Sequence, residues 1–180
     1  MTKQAINSYP LLSKLTHWIS AITIIGLFAL GYWMVDLTYY SSWYKTAPHW
    51  HKSIGILLLF ATVARLIYKF KQPKVSPVAS HSKLVKKASK LTHAMLYLMM
   101  IVLMISGYLI STADGRAIEV FNWFSVASLG ELFTNQEDIA GIVHKYLAYS
   151  LIALAAVHAG AAIKHHVIDK DDTLKRMTTK

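Results

Sequence analysis

The sequence predicts an all-α fold, an integral membrane four-helix bundle, and three observations carry that prediction. Of the 180 residues, 54% are hydrophobic, and the mean hydropathy is +0.38. The apolar residues form long blocks instead of amphipathic stripes. Leu15 to Val35, Leu91 to Ala113 and Tyr146 to Ile163 contain no Asp, Glu, Lys or Arg, and Ser53 to Tyr68 is interrupted by Arg65 alone. A hydrocarbon core of about 30 Å takes roughly 20 helical residues, a length each block reaches with its flanks. The third observation is charge asymmetry. If the N-terminus, the 69–90 loop and the C-terminal tail share one side, that side holds all but four of the 19 Lys and Arg residues. The four on the other side are Lys45, Lys52, Arg116 and Lys145. Such a bias points the basic side, and hence both termini, to the cytoplasm of a bacterial cell.

Four helices are expected, at 14–36, 49–70, 89–111 and 139–166, in one transmembrane domain that fills residues 1–180. The first begins near Ser13-Lys-Leu-Thr-His17-Trp18, with Trp18 suited to the interface. It reads as an uncleaved first span, because no small-residue cleavage site follows a short apolar core. The aromatic-rich loop Tyr39-Tyr40-Ser-Ser-Trp43-Tyr44 follows on the outer side. Pro48 opens the second helix, where a missing N–H costs nothing. The proline-marked stretch Gln72 to Val78 returns the chain toward the third helix. Between the third and fourth helices, residues 117–129 carry bulky apolar side chains and few charges, and are expected to form a short helix in the outer interface.

The net charge of +10 is accounted for by topology and by contact with anionic lipid. No nucleic-acid recognition motif accompanies it, so no nucleic-acid partner is expected. The chain has no cysteine. That excludes covalent c-type haem attachment, iron–sulfur clusters, thiolate nucleophiles and disulfides, and any haem must be held non-covalently, as b-type.

The candidate site residues are histidines. His144 and His158 stand fourteen residues apart in one apolar run, which brings them to within about 40° of the same helix face with a rise of about 21 Å. An ionisable residue at bilayer depth is costly and usually faces the bundle interior. Alternating helix direction brings His17 to the depth of His158 at the inner end, and His51 to the depth of His144 at the outer end. Each pair can offer two neutral imidazoles to opposite faces of one iron, so the expected cofactors are two bis-histidine b haems. Metal ligation at His17, His158, His51 and His144 follows from that pairing. The competing readings are interfacial or interhelical hydrogen-bonding histidines and a histidine-lined proton or metal transporter. A proton relay normally wants Asp or Glu within the spans, and the apolar blocks have none. A closed zinc site is disfavoured, since two histidines do not complete a tetrahedral shell. A structural membrane anchor would make the four histidines dispensable.

Arg65, the cation inside the second helix, can balance a haem propionate or snorkel to lipid phosphate. Arg116, with Lys52 and Lys145, could do the same at the outer haem. His165 and His166 reach the inner headgroup level, where a quinone carbonyl wants a donor and a proton source. His93 starts the third helix at the depth of the inner pair. His81 is expected to be solvated in the basic loop, and His49 to lie on the outer surface.

Thr16-His17-Trp18, His51-Lys-Ser-Ile-Gly55 with Arg65 downstream, and His144 with His158 resemble the pattern of the bacterial cytochrome b561 family. The resemblance covers nearly the whole chain. Ser111-Thr-Ala-Asp-Gly-Arg116 and the stretch from His165 to Met177 resemble the subgroup of cytochrome b561 homologues. It implies four transmembrane helices in the bacterial inner membrane, two b haems ligated by His17, His51, His144 and His158, and electron transfer linked to quinone. One branch of the family oxidises superoxide and passes electrons to ubiquinone. Here the outer side holds four basic residues against six acidic ones (Asp36, Asp114, Glu119, Glu131, Glu137, Asp138), a global field that does not draw an anion inward. Lys45, Lys52, Arg116 and Lys145 could still form a local positive funnel at the outer haem, and superoxide:quinone oxidoreductase is the leading specific reaction. A runner-up reading is a quinol-linked cytochrome b serving a periplasmic protein. The subgroup often accompanies a small periplasmic isoprenoid-binding lipocalin-like protein, which is the partner the resemblance suggests beside membrane lipid and quinone.

Overall fold

A computed structural model describes residues 6–179. Its four long helices are α1 (Leu11–Met34), α2 (Thr46–Lys71), α3 (Lys83–Thr112) and α4 (Gln136–Val167). All four are long and apolar enough to cross a membrane. Their outward faces carry large apolar side chains in the open: Ile22 is 70% exposed, Leu98 63% and Val157 67%. In water that surface would be untenable, whereas lipid tails solvate it. α3 runs along α4 and α1 along α2, and contacts from α2 to α3 and from α1 to α4 close the bundle.

The helices run longer than their apolar blocks. α3 starts at Lys83, six residues before the expected boundary, because Ser82 caps it with its hydroxyl, 3.3 Å from the Val85 N–H. The basic run Lys83 to Lys90 is therefore the first two turns of a helix and not a loop. α4 opens at Gln136, whose buried amide accepts from Leu132 N–H at 2.8 Å and donates to Leu109 O at 2.9 Å. Glu137 and Asp138 in its first turn and Lys164, His165 and His166 in its last complement the helix dipole. Pro48 lies in the first turn of α2, among the N–H positions with no helical partner.

The expected interfacial helix at 117–129 is instead a β-hairpin. Strand β1 (Ile118–Val120) pairs antiparallel with β2 (Phe124–Val126), Val120 opposite Phe124. Phe121 and Asn122 have φ of 45° and 59°, the pair of left-handed residues that tight hairpin turns need. The alternation Ile118 in, Glu119 out, Val120 in has the period of a strand, and it buries both apolar residues against Ile56 of α2. Ser53, fully buried on α2, fastens the hairpin: its Oγ donates to Glu119 O (3.3 Å) and accepts from Phe121 N–H (3.1 Å).

At the opposite end of the bundle three segments meet. Ile6 pairs with the α2–α3 loop through Ile6 N–H to Lys74 O (3.1 Å) and Ser76 N–H to Ile6 O (2.9 Å). The Arg176 guanidinium donates to Ser76 O at 2.6 Å, and Trp18 Nε1 donates to Met177 O at 2.9 Å. A short helix α5 (Lys175–Thr178) ends this tail. The N-terminal stretch, the loop and the tail thus share one end, as the charge count requires. Lys3 and Lys180, counted on that side, lie outside the described residues.

Candidate functional site

Both histidine pairs expected from helix depth are brought together. The rings of His17 (α1) and His158 (α4) have centroids 6.3 Å apart at an interplanar angle of 78°. The rings of His51 (α2) and His144 (α4) stand 6.2 Å apart at 68°. A metal–imidazole bond is about 2 Å, and the ring centre lies about 1 Å behind the nitrogen, so two axial imidazoles put their centroids about 6 Å apart. Both pairs match that separation, and all four rings are half-buried. The residues present therefore fit two bis-imidazole haem irons.

In the outer pair the His144 ring is held in one tautomer. His144 Nδ1 stands 2.9 Å from Leu103 O, an acceptor only, so Nδ1 carries the hydrogen and Nε2 keeps its lone pair. Ser106 Oγ, 3.1 Å from the same nitrogen and itself donating to Leu103 O at 2.7 Å, completes the arrangement. A hydrogen bond from the second ring nitrogen is the usual device that fixes tautomer and ring plane in metal-bound histidine. His51 Nδ1 is buried without a well-directed hydrogen bond among the described residues, although the Leu27 carbonyl interacts with the ring. Glycines back both rings. A Cβ at Gly31 would meet His51 Cε1 at 3.0 Å, and one at Gly107 would meet His144 Cε1 at 3.0 Å.

The inner pair is arranged differently. Arg65 Nη2 stands 3.2 Å from His17 Nδ1. Guanidinium can only donate, so Nδ1 accepts and Nε2 carries the hydrogen. For Nε2 to bind a metal, Arg65 must leave the ring. Arg65 also lies over the Tyr97 ring at 5.5 Å, beside Lys69 at 4.4 Å. His93 joins this cluster, 5.1 Å from His158, closer than two ligands of one iron stand. Its Nδ1 donates to Ser89 O of its own helix at 2.7 Å.

The other candidates separate. Arg116 is exposed and ion-paired with Asp114. With His49, Lys52 and Glu119 it lines an open depression of about 400 Å³ beside the hairpin. His165 turns toward acidic side chains of the tail, its Nδ1 2.7 Å from Asp169 Oδ2 and 3.5 Å from Asp171 Oδ2. His81 is not solvated as expected. It is half-buried, with Nε2 2.7 Å from Asp171 Oδ2, because the tail folds back over the loop. Gly31, Gly107, Ser106 and Tyr97 carried no signal in the sequence beyond their positions on the spans.

The chain is similar to known proteins along nearly its whole length. The family model for prokaryotic cytochrome b561 matches residues 8–180. "Cytochrome b561 homolog 2" of Escherichia coli (strain K12) is 48% identical over 172 residues, covering 96% of this chain and 92% of the relative. "Cytochrome b561 homolog 1" of the same organism is 30% identical over 165 residues, covering 89% and 91%. "Probable superoxide oxidase CybB" of Yersinia pestis is 28% identical over 141 residues, covering 78% of each chain. With four membrane-crossing helices and a match along nearly its whole length, the chain belongs to the prokaryotic cytochrome b561 family, inner-membrane b-type haem proteins of electron transport.

Proposed function

We propose that the chain conducts electrons across the inner membrane through two bis-histidine b haems and exchanges them with the quinone pool. His51 and His144 hold the outer haem, and His17 and His158 the inner one. The observation that carries the reading is the repeated imidazole separation, 6.2 and 6.3 Å, at the two ends of one bundle. A haem held by these residues would supply reversible one-electron exchange. Leu103 and Ser106 hold the His144 ring in its ligating tautomer. Arg65 offers a bidentate counter-charge for a propionate at the inner end. The end that gathers both termini and most of the basic residues faces the cytoplasm. There His165 offers a protonatable ring to a quinone oxygen.

For the outer donor, the relative named a probable superoxide oxidase suggests superoxide. Two superoxide anions, one quinone and two protons give two dioxygen molecules and one quinol. The depression lined by His49, Lys52 and Arg116 supports an anionic donor. A second reading, a periplasmic protein donor or acceptor such as a lipocalin-like isoprenoid binder, is favoured by the pairing of Arg116 with Asp114 and by Glu119 in the same depression.

The deciding experiment is haem quantification by pyridine haemochromogen on the detergent-purified chain, with His144→Ala and His158→Ala alongside. Two b haems per chain, one lost in each variant, are expected. Haem content indifferent to both substitutions overturns the pairing. Haem reduction by generated superoxide then separates the donors. A Lys52→Glu variant that is slowed favours superoxide, and a wild type that is not reduced favours the protein partner.

A further inference from the structure

We propose that His81, His165 and Asp171 form a binding site for a divalent transition metal of the zinc class, which clamps the C-terminal tail to the α2–α3 loop. The site goes beyond the electron-transfer reading and does not depend on the haem assignment. Its three side chains come from three segments: the loop before α3, the last turn of α4 and the tail beyond it. One ligand atom from each lies within 4.8 Å of the others. His81 Nε2 is 2.7 Å and His165 Nδ1 3.5 Å from Asp171 Oδ2. Metal bonds of about 2.0–2.1 Å in a tetrahedron separate neighbouring ligand atoms by about 3.3 Å, so side-chain shifts of about 1 Å bring the three atoms onto one cation. Asp169 Oδ2 also lies 2.7 Å from His165 Nδ1, but Lys164 Nζ donates to it at 2.8 Å and it stands outside the trio, so the fourth position is left to solvent.

The backbone builds this convergence. Lys170 has φ of 53°, and Asp171 N–H donates to His165 O at 3.0 Å, so the chain turns back directly after α4. Asp169 and Asp171 then both face the His165 ring. The His81 and His165 rings stand 4.5 Å apart at 36°. The side chains of His81, His165 and Asp171 are 14%, 16% and 7% exposed, which is more enclosure than a surface ion pair has. His165 Nδ1 is close to two carboxylates, yet neither lies in hydrogen-bonding direction from it among the described residues. His81 and Asp171 already satisfy each other, and His165 Nδ1 is the buried ligand atom of the trio left without a directed partner, which a cation between the three would supply. Thr173 N–H donates to Asp171 Oδ1 at 2.8 Å, which orients the carboxylate toward the two rings. Two imidazoles with carboxylate oxygen favour zinc, nickel or copper over magnesium or calcium. If quinone exchanges beside His165, metal at this site competes with it.

The test uses the haem-loaded chain carrying a tag without histidine, stripped with chelator and dialysed against micromolar free Zn²⁺. One zinc per chain is expected, undisturbed by excess Mg²⁺, with imidazole scattering in the zinc X-ray absorption spectrum. His81→Asn and Asp171→Asn should each raise the Kd by about tenfold or more. Their haem spectra and elution volumes should match the wild type. Zinc below stoichiometry in the wild type overturns the proposal, as does zinc bound equally by both variants; the trio is then only a hydrogen-bonded His–Asp network. Should Asp171→Asn fail to fold, His81→Asn in the loop decides alone. Because the readout counts zinc and not haem, failure here is distinct from failure of the haem pairing.

Discussion

His144 Nδ1 lies 2.9 Å from the main-chain oxygen of Leu103, across the α3–α4 seam, and that contact leaves Nε2 as the ring's one free lone pair. Ser106 adds a weaker acceptor at 3.1 Å. Acceptors on the distal nitrogen raise the basicity of a ligating imidazole and favour the more positive, oxidised metal. Ser106→Ala should therefore retain both haems, since Leu103 still fixes the tautomer, and raise the midpoint potential of one of them by some tens of millivolts. A spectroelectrochemical titration reads this directly, and unchanged potentials would count against Ser106 as a partner of the ligand.

Glycine is needed at two helical positions for space, not for backbone freedom. A Cβ at Gly31 or Gly107 comes within 3.0 Å of the His51 or His144 ring, both at the outer end, whereas nothing lies within 4 Å of one at Gly26 or Gly55. Overpacking of this kind costs about 1–3 kcal/mol. Gly31→Ala and Gly107→Ala should each deplete one haem selectively and leave the other near full occupancy. Gly26→Ala and Gly55→Ala should leave both. Haem-to-protein ratios of the four variants test the contrast.

Depth and spacing along an apolar run made the four ligand candidates legible. His144 and His158 fix two levels on α4, and alternating helix direction brings His51 and His17 to them, with His93 a further histidine at the inner level. Arg65 was legible for the same reason, as the single cation inside the apolar blocks. Residues 117–129 misled because their composition suits a strand as well as an interfacial helix. What decides between them is Ile118 and Val120 packing on Ile56, together with two left-handed residues at Phe121 and Asn122, and these are tertiary facts. His81 misled for a similar reason: a loop histidine among lysines reads as solvated until Asp171, ninety residues later, folds onto it. Hydropathy also hid the true start of α3, because a helix capped at Ser82 continues through a basic run that no apolar block marks. Gly31 and Gly107 could not be singled out, since their meaning lies in the neighbouring helix.

Arg65 bears on the inner pair through charge. In the present arrangement it donates to His17 Nδ1 at 3.2 Å, a contact incompatible with His17 Nε2 ligating a metal while Nδ1 carries the hydrogen. Ligation therefore requires Arg65 to move to another acceptor, and a propionate carboxylate is the strongest on offer. A fixed positive charge beside a haem favours its reduced form. Arg65→Ala should lower the midpoint potential of one haem with the other unchanged, and Arg65→Lys should restore part of the difference. If Arg65→Ala shifts neither potential, Arg65 serves lipid phosphate instead.

The Ser53 hydroxyl ties the hairpin to the outer end of α2, beside its apolar seat on Ile56. Ser53 is two residues beyond His51 and fully buried, and its Oγ satisfies both Glu119 O and Phe121 N–H. Ser53→Ala leaves two backbone groups without that partner where water is scarce, a cost of about 1–3 kcal/mol for each group left buried and unsatisfied. The strands are three residues each, too short to persist without their seat on Ile56. The loss should therefore appear as opening of the hairpin and not as unfolding of the bundle. Amide exchange at Phe121 should accelerate in Ser53→Ala, while exchange within α3 and α4 stays at the wild-type rate. The haem between His51 and His144 should become easier to extract than the one between His17 and His158. Equal loss of both haems would mean that Ser53 supports the whole bundle, and no change in exchange at Phe121 would mean that apolar packing alone holds the hairpin down.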